Sequence, residues 1–147
     1  MFTRLIASLL SPAPAPLPAP DARLALAALL VRLARADGEY TAPERDRIDR
    51  VLRARYALSQ PEVAELRAAA EDLEREAPDT VRFTRALKDA VPHEERMSLM
   101  EALWSVALAD DARDPREDAL IRVAADLLGI SDRDRAIARH NVEKRHR

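Results

Sequence analysis

The chain has no cysteine, which removes disulfides, thiolate zinc sites and thiol nucleophiles together and leaves the redox compartment open. Glycine occurs only at Gly38 and Gly129, too few for a Gly-rich phosphate loop. Aromatic residues are 3% of the sequence, and β-branched residues are also sparse. Neither a sheet nor a base-stacking platform is indicated. The three histidines, His93, His140 and His146, are far apart, and none stands at a metal-ligand spacing. His93, between Pro92 and Glu94, reads as a surface residue at a helix start. Ser98, Ser105 and Ser131 lack the nearby histidine or strand-turn-helix elbow that activates a hydroxyl nucleophile. The formal net charge is −2, so no whole-chain field draws the protein toward nucleic acid, and its basic residues are interleaved with acidic ones.

What the chain does contain is helix formers. Ala, Leu, Arg and Glu dominate its 147 residues, a length that suits one domain with a core of its own. These features predict an all-α protein. Lysine occurs only at Lys88 and Lys144; the excess of arginine, with the abundant Ala and Pro, reads as genome composition rather than as phosphate contacts.

Residues 1–10 form a short amphipathic run. Its apolar stretch is too short for a secretory signal and far short of the ~20 residues that span a bilayer. It reads as a surface helix packed on the domain or frayed, with peripheral membrane contact the alternative. Residues 11–20 alternate proline with small residues, an extended and stiff linker. The helical domain is expected over 21–142, followed by a loose tail at 143–147.

Asp21 is placed to cap a helix running to about Ala36, apolar on nearly every side and therefore central in the core. Ile48, Val51, Leu52 and Tyr56 give the next helix one inward stripe. Ser59, Pro61 and Glu62 start another, with Val63, Leu66, Ala70 and Leu73 inward and Pro78 after it. A shorter helix from about Asp79 to Ala90 turns Val81, Ala86 and Leu87 inward, with Phe83 partly so. Pro92 opens a long helix with Met97, Met100, Leu103, Trp104 and Ala107 at core spacing, the second central helix. Leu120, Ile121, Ala124, Leu127 and Leu128 mark the next, stopped by Gly129, and Ile137 and Val142 the last.

Two acidic turns organise this pattern. The stretch Ala36-Asp37-Gly38-Glu39-Tyr40-Thr41-Ala42-Pro43-Glu44 is echoed by Ala109-Asp110-Asp111-Ala112-Arg113-Asp114-Pro115-Arg116-Glu117. Asp37 aligns with Asp110, Glu44 with Glu117 and Ile48 with Ile121. The order of elements repeats too, predicting a bundle of about seven helices with internal pseudo-twofold duplication. If the central helices pack at the dyad, Asp37, Glu39, Glu44, Asp110, Asp111 and Glu117 gather into one negative patch. Part of this chemistry has a structural use. Thr41-x-x-Glu44 and Asp114-x-x-Glu117 are capping-box patterns, and Pro43 and Pro115 suit first turns. Asp37 and Asp110 differ, because a carboxylate at a helix C-terminus opposes the macrodipole. Their recurrence is the clearest hint of a ligand. All-oxygen donors would select Ca²⁺, Mg²⁺ or Mn²⁺; the spacing is not that of an EF-hand, since Ile48 holds the twelfth position from Asp37.

Taken together, Ala36-Asp37-Gly38-Glu39, Pro43-Glu44-Arg45, Arg82-Phe83-Thr84-Arg85, Glu94-Glu95-Arg96, Glu101-Ala102-Leu103-Trp104, and Asp114-Pro115 through Ala125-Asp126-Leu127-Leu128-Gly129 resemble the TerB-like family of bacterial tellurite-resistance proteins, over about residues 21–140. The resemblance implies an all-helical domain with internal symmetry, an acidic cluster for a divalent metal, and no enzymatic activity. It also implies a role in stress response or membrane-associated complexes; a similar domain occurs in membrane-anchored DnaJ-like co-chaperones. Asp111 and Ala112 depart from the family pattern, which has Gly and Glu there, so one expected ligand is missing. The functional expectation is a non-enzymatic domain that responds to a divalent metal or acts as a scaffold with a protein partner, in the cytoplasm, with the inner face of the membrane the alternative location. The alternative is a metal-independent interaction module whose acidic patch binds a basic partner.

Overall fold

The computed structural model describes residues 22–77, 79–109 and 114–145. Asp21, the N-terminal run, the proline linker, Pro78, and Asp110 to Arg113 of the second turn lie outside these residues. The described part is all-helical: α1 (Ala22–Ala34), α2 (Ala42–Tyr56), α3 (Gln60–Glu76), α4 (Val81–Ala90), a 3₁₀ turn (His93–Glu95), α5 (Arg96–Ala107), α6 (Pro115–Leu127) and α7 (Asp132–Arg145).

The centre of the bundle is α1, as its composition demands. Leu24 to Val31, Leu33 and Ala34 are all buried, and only Arg23 is fully on the surface while Arg32 is half-buried. Alanine on several faces lets neighbouring helices come close, so α1 packs extensively on α3 and α4 and also on α2, α5 and α6. The second central helix, α5, buries Leu99, Met100, Leu103, Trp104 and Val106 and packs mainly on α7. Packing in the two halves follows the same order. Each central helix touches the two helices that follow it, and each also touches the first follower of the other half, α5 meeting α2 and α1 meeting α6.

Local signals explain where the helices start and stop. Thr41 and Ser59 both form complete capping boxes, with Glu44 and Glu62 reaching back to the cap amide. Gly38 and Gly129 take positive φ, 86° and 73°, where a side chain would be strained. Ala57, which ends α2, has φ 53° without being glycine. A left-handed alanine costs ~1–2 kcal/mol, partly offset by the lower chain entropy of alanine when unfolded. Ala57→Gly is therefore expected to stabilise the domain by ~0.5–1 kcal/mol, raising Tm by ~1–4 °C. Thermal unfolding followed by circular dichroism checks this; an unchanged or lower Tm would contradict the assignment.

Several inward positions differ from the sequence pattern. Phe83 is fully buried while Val81 is 39% exposed, because the buried face of α4 is Phe83, Thr84, Ala86 and Leu87 and Val81 lies at its first, solvent-facing turn. On α6 Ala125 is buried and Leu127 only partly so. On α7 Ala138 and Val142 face the core and Ile137 is exposed. Helix α7 also continues to Arg145, so Glu143 to Arg145 are helical rather than loose tail, and Arg145 Nη2 pairs with Glu101 Oε1 at 2.9 Å.

Candidate functional site

The first acidic turn follows the end of α1. Gly38 N donates to Arg35 O at 3.0 Å, and its left-handed backbone reverses the chain. Asp37 thus stands beyond the last residue of α1, outside the turn in which the helix dipole is strongest. Its carboxylate has a local task that the capping patterns do not include: Oδ1 accepts the Glu39 amide at 2.9 Å, an Asx-type turn. Glu39 is exposed.

Tyr40 anchors this turn to the bundle. Its hydroxyl donates to Glu71 Oε2 at 2.6 Å, and the guanidinium groups of Arg35 and Arg45 each stand over its ring, 5.1 and 5.2 Å from the centroid. Arg45 Nη1 also donates to Tyr40 O at 2.9 Å. Burial, with Glu71 alongside, pushes the phenol pKa well above its ordinary value. Behind Glu71, Arg67 bonds Asp49 at 2.6 Å and Glu71 at 3.0 Å. Burial works against the Arg67 charge, but the two carboxylates outweigh it and its pKa is raised.

Glu44 is buried at the head of α2, 1% exposed. Its Oε1 accepts the Thr41 amide at 2.9 Å and the Thr41 hydroxyl at 3.0 Å. Glu117, at the matching position of α6, is 2% exposed. The cap of α6 departs from the pattern: the Asp114 carboxylate accepts the Arg116 amide at 2.7 Å, one residue short of the Glu117 amide expected of a full box. Asp114 also holds the Arg116 guanidinium, Oδ1 at 3.1 Å from Nε and Oδ2 at 3.0 Å from Nη2. The guanidinium lowers the Asp114 pKa, and the Asp114 carboxylate in turn raises that of Arg116.

Arg116 joins the head of α6 to the first turn. Its Nη2 donates to the Asp37 carbonyl at 3.0 Å, and Asp37 adds to the charges that favour its protonated form. The head of α6 and the turn after α1, 79 residues apart in sequence, therefore meet at one hydrogen bond. Of the six acidic residues singled out from sequence, the structure describes Asp37, Glu39, Glu44 and Glu117, whereas Asp110 and Asp111 lie outside the described residues. Among the described residues, no three His, Asp or Glu side chains converge as a ligand set for a metal.

An all-helical domain in which the head of α6 is hydrogen-bonded to the turn after α1 is the class of protein defined by these observations. The chain belongs to the TerB family: the model of the tellurite resistance protein TerB matches residues 23–140. Neither a curated protein nor a solved structure matches it. No helix among the described residues is long and apolar enough to cross a membrane.

Proposed function

We propose that this chain is a non-enzymatic TerB-family domain that takes up a divalent cation at its paired acidic turns and serves as a stress-responsive scaffold for a protein partner. The observation carrying this reading is the Arg116–Asp37 bond. It brings the beginning of α6 to the turn after α1, as a site shared between the two acidic stretches requires. The donors, Asp37, Glu39, Glu44, Asp110, Asp111 and Glu117, are all carboxylates, which fit Ca²⁺, Mg²⁺ or Mn²⁺. Glu44 is committed to its capping box, so Asp37 and the aspartates of the second turn carry most of the ligand role, and moderate to weak affinity follows. In this reading the domain works in the cytoplasm.

Calcium or manganese titration, followed by Trp104 fluorescence and Tm, tests the proposal. A ligand at ~100 times its Kd is expected to stabilise the fold by ~2.7 kcal/mol, and Asp37→Asn with Asp110→Asn to abolish the gain. No shift at millimolar metal, or the same shift in the double variant, would sink it. The second reading, a metal-independent module whose acidic patch binds a basic partner, is favoured by the same bond seen from its other end. Arg116 is a basic side chain seated on the turn of Asp37, the kind of group a partner would present. Binding of a basic peptide that is equally strong in chelator would support that alternative.

A further inference from the structure

We propose that Arg116 is an internal competitor of the cation: its guanidinium lies on the first acidic turn as a tethered counter-ion and leaves when Ca²⁺ or Mn²⁺ is taken up. It thereby sets the cation concentration at which the domain responds. The inference rests on the cation reading above and concerns the regulation of that site.

The side chain is held in place for this task. In the first half of the chain Thr41 caps α2 by accepting the Glu44 amide, and Pro43 stands two residues after the cap. In the second half Asp114 takes the cap and Arg116 takes the place of Pro43. The cap carboxylate is diverted to the new side chain. Oδ1 accepts the Arg116 amide at 2.7 Å and Nε at 3.1 Å, while Oδ2 accepts Nη2 at 3.0 Å. This two-point grip orients the guanidinium plane, and from it Nη2 reaches the Asp37 carbonyl at 3.0 Å. The other arginines near the turn are engaged elsewhere. Arg35 pairs with Glu74 and Arg45 donates to the Tyr40 carbonyl, so of these three Arg116 is the one bonded to Asp37.

The contact is also reversible. The Arg116 side chain is 65% exposed, so water replaces its bonds at little cost when it swings away. Carboxylate and carbonyl oxygens, moreover, are ligands for a hard cation as readily as they are acceptors. An ion held by Asp37 at ~2.3–2.6 Å sets two further positive charges against the guanidinium, and like charges at such range repel even in water. The ion and the side chain therefore exclude each other. A purely structural bridge would act with the opposite sign: by holding α6 against the turn it would assist cation binding, and its removal would weaken it.

Calorimetric titration of the full chain with Ca²⁺ separates the two. Arg116→Gln, which removes both charge and fork, is expected to bind Ca²⁺ ~10-fold more tightly than the natural chain. Arg116→Lys, which keeps the charge without the planar fork, is expected to gain less. Arg45→Gln removes a charge from the same turn but no bond to Asp37, and is expected to change the affinity less than ~3-fold. In the natural chain Ca²⁺ is expected to shift the Arg116 Nε–Hε resonance with the midpoint of the heat signal. Equal or weaker binding in Arg116→Gln, or a gain as large in Arg45→Gln, would overturn the inference and leave the cation reading standing. If neither the natural chain nor any variant takes up Ca²⁺ at ~10 mM, the cation reading fails and this inference with it.

Discussion

Leu29→Ala is expected to lower the stability of the domain by ~3–5 kcal/mol, the range for truncating a fully enclosed leucine, where a residual cavity adds to lost transfer free energy. Leu29 is 0% exposed and lies midway along α1, surrounded by other fully buried residues of that helix. Because α1 packs on α2 through α6, little of the resulting space can collapse without moving several helices. For a chain of this size the loss corresponds to a Tm lower by ~6–20 °C. Val123→Ala is the control, because Val123 is 47% exposed and is expected to cost under ~0.5 kcal/mol. Urea unfolding of both variants checks the claim. Equal effects would mean that α1 is not the centre of the core.

Arg32→Ala is expected to cost ~2–4 kcal/mol, although arginine is usually a surface residue whose loss is mild. Arg32 leaves the apolar α1 and crosses to the end of α3. There Nη2 donates to Glu74 O at 3.0 Å and Ala77 O at 2.7 Å, and Nε donates to Glu74 Oε2 at 3.2 Å. Those carbonyls belong to the last turn of a helix and its cap, where no amide follows to satisfy them. The guanidinium also lies over the Phe83 ring at 5.2 Å, and the Arg32–Glu74 pair is shielded, 17% and 13% exposed. Removal would strand the Glu74 carboxylate with Arg35 alone. Lysine cannot reproduce the planar fork, so Arg32→Lys is expected to recover less than half of the loss. A loss below ~0.5 kcal/mol in Arg32→Ala would show that these contacts are solvated and interchangeable.

The same guanidinium chemistry marks the boundary of what could be read in the sequence. Helix identity was legible because it depends on neighbours. The caps at Thr41 and Ser59, the turns at Gly38 and Gly129 and the all-round apolarity of α1 each reside in a few consecutive residues. Arginine cross-links do not. Arg32 reaches the end of α3, and Arg96 donates to Lys88 O, Val91 O and Leu128 O at 3.0 to 3.2 Å, closing the ends of α4 and α6 together. Arg116 joins α6 to the first turn. In the sequence these are three members of an arginine excess that looks compositional; only the fold separates them from their solvated neighbours.

Burial was legible to the degree that helical periodicity sets it. Phe83 and Val81 exchanged roles because α4 is short and its first turn lies at the edge of the bundle. In the candidate site, the initiation role of Glu44 and the end of α1 near Asp37 followed from local pattern. The Asx-type bond of Asp37, the anchoring of Tyr40 by Glu71, and the bridge from Arg116 required the third dimension. Asp37 consequently has a modest structural task, which narrows the case for a ligand to what its carboxylate does beyond that one hydrogen bond.

The most direct measurement is a crystal of the full chain grown with Mn²⁺, with diffraction data collected where manganese scatters anomalously. The proposal predicts an anomalous peak between the two acidic turns, ~2.0–2.6 Å from carboxylate oxygens of Asp37 and of at least one aspartate of the second turn. Absence of a peak there, with Arg116 still bonded to the Asp37 carbonyl, would contradict it.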